Sequence, residues 1–109
     1  MVWLVRDGDV LASAEIADRA GARRKGLLGR DHIDGAFVLR PCRQVHTIGM
    51  RVPIDVAFCA PRGQVLRTCS LAPWRVSRPV WRSAFVVEAE AGAFERWCLR
   101  PGDRIEVRG

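Results

Sequence analysis

The sequence predicts a single mainly β domain: a compact sandwich or barrel of about seven or eight short strands, with one short helix near residues 19–28. Three observations carry this reading. Apolar residues alternate with polar ones over short runs, the period of a strand with one buried face. Turn signals rich in Gly, Pro and Asp separate those runs. The chain has 109 residues, 49% hydrophobic and 28% charged, which suits one folded domain and is too apolar for disorder.

The elements follow in order. Val2 to Val5 is a short apolar run, and Asp7-Gly8-Asp9 turns the chain. Val10, Ala12, Ala14 and Ile16 then alternate, so the two runs form an opening hairpin. Asp18 is placed to cap a helix over Arg19 to Leu28, with Gly29 as its stop. Ala36 to Leu39 is the next apolar run, closed by Arg40-Pro41. Val45 to Met50 is a candidate strand, with His46, Ile48 and Met50 on one face, and Pro53 interrupts it because proline donates no ladder hydrogen bond. Ile54, Val56, Phe58 and Ala60 give a core strand with Asp55 on its other side. Pro61 to Gln64 is a turn, and Val65 to Leu71 returns as hairpin partner. Residues 72–83 read as a long ordered loop. Ala84 to Glu90 is a strand, Ala93 to Cys98 a helical turn, and Arg104 to Val107 the final strand.

Charge and cysteine content narrow the function classes. The formal net charge is +6, and of the basic residues only Lys25 is not Arg. Between Gly35 and Val87 lie Arg40, Arg43, Arg51, Arg62, Arg67, Arg75, Arg78 and Arg82 against one acid, Asp55. A positive stretch of this kind focuses an anionic ligand or partner. Cys42, Cys59, Cys69 and Cys98 form no C-x-x-C pair, and with His32 and His46 they give no zinc spacing. No metal or cofactor is expected. Free thiols are expected, with Cys59 and Cys98 as small buried hydrophobes. No apolar run is long enough for a membrane helix, and the first residues lack a basic leader, so the expectation is a cytoplasmic chain with no membrane partner.

The most distinctive stretch is His46-Thr47-Ile48-Gly49-Met50-Arg51-Val52-Pro53-Ile54-Asp55-Val56-Ala57-Phe58. It resembles the central motif, H-T-x-x-M-x-x-P-I-D-V-x-F, of the bacterial and archaeal domain-of-unknown-function family 192. Arg24 to Arg30 resembles the family's R-x-G-L-M-x-R segment, with Leu28 where Met is usual. Pro41-Cys42, Leu71 to Arg75, and Glu88 to Gly92 follow in family order, as does Leu99 to Asp103, with Cys98 where Gly is usual. The resemblance spans nearly the whole chain. It implies a mainly β fold with one helix and brings no activity. Family members often carry secretory or lipoprotein leaders, and the expectation for this chain is that it carries none.

The residues themselves offer three chemistries. His46, Thr47 and Asp55, beside Arg51 and Arg75 and with Cys42 on the same side, form a polar cluster suited to an anionic small molecule or peptide segment. This is the leading expectation: a binding or accessory module. The same residues have a structural alternative, with His46 and Thr47 satisfying buried backbone groups while Asp55 pairs with an Arg across the sheet. A hydrolase would use Cys42 as nucleophile, His46 as base and Asp55 as orienter, or have His46 activate water with Arg51 or Arg75 holding the oxyanion. A metal site from Cys42, His46 and Asp55 lacks a fourth ligand. Finally, Pro73 to Arg82 interleaves Trp74 and Trp81 with Arg75, Arg78 and Arg82, a pattern that stacks bases and neutralises phosphates.

Overall fold

A computed structural model describes residues 2–17 and 33–109. The helix expected near residues 19–28 lies outside the described residues. Among these, strands β1 (Val2–Arg6), β2 (Asp9–Ala17), β3 (Ala36–Leu39), β4 (Ile54–Cys59), β5 (Val65–Leu71), β6 (Phe85–Glu90) and β7 (Glu106–Arg108) form one sheet, with a short helix α1 (Ala93–Trp97) after β6. The strand order is β5-β4-β6-β3-β2-β1-β7. Only the β2–β3 pairing is parallel; the others are antiparallel.

The two edges of this sheet meet. Val65 N–H donates to the Asp103 carbonyl at 2.8 Å, Gly102 N–H to the Val65 carbonyl at 2.8 Å, and Ile105 N–H to the Gly63 carbonyl at 2.9 Å. The sheet therefore curls into a barrel, laced along a short seam that covers part of both edges. Only glycine fits at position 63. Its φ is +96°, and a Cβ there would sit 2.0 Å from the Ile105 carbonyl oxygen. The final strand starts at Glu106, two residues later than the sequence suggests, because Asp103 and Ile105 are first engaged at this seam.

Side-chain alternation then sorts the core onto both faces of the sheet. Leu4, Val38, Ala57, Cys59, Val65, Val87 and Ile105 fill the inside, and Ala93, Phe94 and Leu99 plug one end. Phe37, Leu39, Ile54, Val56, Phe58 and Val86 face outward beneath Cys42, Val45 and Met50 of the 40–53 loop. Each fully buried Val, Leu, Ile or Phe contributes roughly 1.5–3 kcal/mol. All six residues of β4 are buried, which explains its near-continuous apolar sequence.

Two local expectations are corrected. Val45 to Met50 is not a strand: after a single bridge between His46 and Val76 the chain turns, with Gly49 at φ +85°. Met50 N–H donates to the Thr47 carbonyl at 3.0 Å, so the turn takes groups that a strand would have paired. His46, Ile48 and Met50 consequently do not share a face: His46 is half-buried, Ile48 exposed and Met50 buried. Cys98 is exposed rather than buried, and it ends α1 in the left-handed region at φ +53°. That conformation favours glycine, the residue usual there in the resembled family. The four cysteines are free thiols.

Candidate functional site

Asp55 lies inside the barrel end closed by α1. It is 5% exposed, and both carboxylate oxygens are engaged. Ser70 Oγ donates to Oδ1 at 2.6 Å, while the N–H groups of Gly92 and Phe94 donate to Oδ2 at 2.9 and 3.1 Å. A short helix leaves its first N–H groups unpaired, and no side chain beside α1 caps them. Asp55 supplies that cap from across the barrel. Its partners are a hydroxyl and two backbone amides, not an arginine.

Thr47 is completely buried on the opposite side of the sheet and serves a different purpose. Its Oγ1 donates to the Ala72 carbonyl at 2.6 Å and accepts from Arg75 N–H at 2.9 Å. Its backbone N–H donates to the Arg75 carbonyl at 2.8 Å, and its carbonyl accepts from Trp74 N–H at 2.9 Å. Further along, Ser77 N–H donates to the Val45 carbonyl at 2.8 Å, and Val80 N–H to the Arg43 carbonyl at 2.7 Å. Ser77 Oγ accepts from Val45 N–H at 3.0 Å. Residues 43–47 and 74–80 are thus zipped together into a rigid ledge over the outer core. The long ordered loop expected at residues 72–83 is one side of it.

The ledge carries most of the remaining candidates. His46 sits at its centre, with Nδ1 accepting from Ile48 N–H at 3.1 Å. Arg51 and Arg75 are exposed, as are Arg43, Arg78 and Arg82. Cys42 is buried under the ledge, its thiol donating to the Gln44 carbonyl at 3.3 Å. Beside the arginines stand large apolar side chains in water: Trp74 is 64% exposed, Trp81 74%, Val76 58% and Ile48 44%. Trp74 also holds a left-handed backbone at φ +64°. That is an uncommon state for a bulky residue, and such strain collects at functional positions.

The structure therefore brings His46, Thr47, Arg51 and Arg75 to one region and leaves Asp55 on the other side of the sheet. Cys42, His46 and Asp55 do not converge, so the nucleophile, base and orienter of the hydrolase reading are not assembled. Among the described residues no group of three or more His, Cys, Asp or Glu is arranged to hold a metal ion. Burial alone pushes the Cys59 thiol up to about 12, the opposite of an activated nucleophile. Ile48 falls at a variable position of the central motif, Val76 inside the Trp-Arg segment and Arg43 in the Arg-rich stretch, but nothing in the sequence marks them as exposed neighbours. Their exposure depends on which loop covers which face, and the only hint is the run of Arg around them.

A family model described as Uncharacterized ACR, domain of unknown function 192, matches residues 2–107. Two solved structures share the fold. A candidate transcription regulator from Sinorhizobium meliloti 1021 superposes with a TM-score of 0.79 at 24% identity, covering 97% of this chain and 91% of that one. A protein of unknown function from Novosphingobium aromaticivorans DSM 12444 gives 0.81 at 19% identity, covering 96% and 82%. No curated protein matches the sequence.

Proposed function

The chain belongs to the domain-of-unknown-function family 192, whose description assigns no activity, and on that footing we propose that it is a binding module that takes an acidic peptide segment on the ledge formed by residues 43–47 and 74–80. One observation carries this reading: Trp74, 64% exposed and held at φ +64° by a backbone that Thr47 pins. Leaving an indole in water forgoes roughly 1.5–3 kcal/mol of burial, and a left-handed backbone adds about 1 kcal/mol of strain. A residue with only a packing role would be turned inward or replaced by glycine. The flanking Arg43, Arg51, Arg75 and Arg78 fit carboxylates through forked N–H donors. Val76 and Ile48 add aliphatic surface, which suits peptide side chains and gives little to a stacked base. The transcription-regulator description of one structural relative makes nucleic acid the alternative that the test must separate.

Fluorescence anisotropy of a labelled peptide alternating Glu with Leu and Phe, beside single-stranded DNA of equal length, makes the distinction. The peptide binds, and Trp74→Ala and Arg75→Ala each weaken it by about tenfold, the usual cost of a well-placed aromatic or arginine contact. Both side chains are exposed, so melting temperatures stay close to the parent's. Peptide binding that ignores both substitutions overturns the reading. So does tighter retention of the DNA with a steep salt dependence, which would mark a phosphate-binding surface instead.

A further inference from the structure

We propose that the edge of β5 beside α1 takes an extended basic peptide segment as an added strand. The direction of its backbone groups follows from β4. Ala60 N–H donates to the Gln64 carbonyl at 2.9 Å on the β5 side, and the Cys59 carbonyl accepts from Ala84 N–H at 2.7 Å on the β6 side. Alternation then turns Phe58, Val56 and Ile54 toward β5, where they oppose Arg67, Cys69 and Leu71. Thr68 and Ser70 lie between those partners, so their N–H and C=O groups aim away from β4.

This edge is engaged at both ends and bare in the middle. Val65 is held by Gly102 and Asp103 at the seam, and the Ala72 carbonyl accepts from Thr47 Oγ1 at 2.6 Å. Between these two fastenings, no backbone group among the described residues pairs with Thr68 or Ser70 on the outward side. A row of unpaired strand groups is a template for another strand, and strand addition is a recurrent way of capturing an extended peptide. The template is also firm, since β5 pairs with β4 over most of its length and β4 is buried throughout.

Charge selects the occupant. The side chains of Thr68 and Ser70 share a face with Asp55, and together with Phe94 and Glu95 they line a cleft of about 260 Å³ between β5 and α1. A residue added opposite Thr68 or Ser70 sends its side chain to that same face. Among the described residues no cation lines the cleft. Arg96 is committed to Glu90 at 2.6 Å, and Arg67 stands on the other face, opposite Phe58. Glu95 is exposed and in no ion pair among the described residues, while Asp55 adds a second negative charge at the floor. Two carboxylates and two hydroxyls fit a guanidinium or ammonium group. The intervening residue of the added strand falls opposite Cys69, on the face of half-buried Leu71 and Val52, and is apolar. The ledge of the previous section uses other residues and the opposite charge.

Amide hydrogen exchange and fluorescence anisotropy with the labelled peptide Ser-Val-Arg-Val-Arg-Val-Ser test the proposal. In the free protein the Thr68 and Ser70 amides exchange fast, and saturating peptide slows both. Methylating the two arginine backbone nitrogens, which removes the donors facing β5, abolishes binding, whereas methylating the nitrogen of the valine between them leaves it. Glu95→Gln, an exposed change, weakens the peptide about fivefold, the scale of one exposed ion pair. Trp74→Ala leaves it unchanged, which separates this site from the ledge. The proposal fails if Thr68 and Ser70 are already protected without peptide or stay unprotected with it. It fails equally if both methylated peptides bind alike, or if glutamine in place of both arginines binds as well.

Discussion

Asp55 shows how one residue can belong to a distinctive motif and still be structural in effect. Its strand turns it inward, beneath a helix of only five residues that has no cap of its own. Removing the carboxylate strands the Gly92 and Phe94 N–H groups and the Ser70 hydroxyl. Asp55→Ala is therefore expected to lower unfolding free energy by about 3 kcal/mol, the sum of lost charged hydrogen bonds and newly unpaired donors. Asp55→Asn keeps one acceptor oxygen and costs roughly half as much. Urea unfolding gives both numbers, and peptide binding at the ledge should survive in each folded variant. If both variants unfold at the parent's midpoint, the capping role is wrong. The sequence makes the buried side of this strand legible, since alternation from Ile54 to Ala60 assigns Asp55 to the face opposite Ile54, Val56 and Phe58. It does not reveal the partner. Gly92 lies 37 residues away in the chain, and nothing local marks its N–H as unpaired.

The elements are legible where a short apolar or alternating run is bounded by turn signals, as in β2, β4, β5 and β6, although alternation alone misreads burial in β4 and β6, whose two faces are both covered. They were not legible where tertiary bonds decide. His46 to Met50 looks like a strand until Thr47 spends both backbone groups and its hydroxyl on residues 50 and 72–75. The seam that closes the barrel is another such case, depending on a turn glycine meeting Ile105, 42 residues later. Comparing two glycines isolates its contribution. A Cβ at Gly102, φ +97°, meets nothing within 4 Å, whereas one at Gly63 runs into the Ile105 carbonyl. Gly102→Ala should therefore cost about 1 kcal/mol from its backbone angle alone. Gly63→Ala should cost about 2–4 kcal/mol, because the seam must open or shift as well. Hydrogen exchange at Val65 and Ile105 should accelerate only in the second variant. Equal stability losses, or unchanged protection at the seam, would mean that closure does not depend on this contact.

At the scale of the whole molecule, the barrel interior sets how the protein responds to alkali. Cys59 is fully buried, and desolvation pushes its thiol up to about 12. The same thiol in the unfolded chain ionises near pH 8.5, at roughly the ordinary cysteine value. Below that pH both states hold the proton and the thiol contributes no slope. Above it the unfolded state releases its proton while the folded state keeps it, so stability falls as pH rises toward the folded value. The slope approaches about 1.4 kcal/mol per pH unit for a single group. Cys69, also raised by burial and by the nearby Asp55 against the pull of Arg67, acts in the same direction. This window is unusually clear of other titrations, because the chain has no tyrosine and Lys25 is its only lysine. Urea midpoints measured under reducing conditions from about pH 8 to 11 should therefore decline steadily, with thiol ionisation as the main source. Cys59→Ala should start slightly less stable, by about 1 kcal/mol for the small cavity it leaves, and then decline less steeply. In the folded parent, Cys98 should react with iodoacetamide while Cys59 stays unmodified. A variant that loses stability with pH as fast as the parent would place the alkaline sensitivity outside the barrel interior.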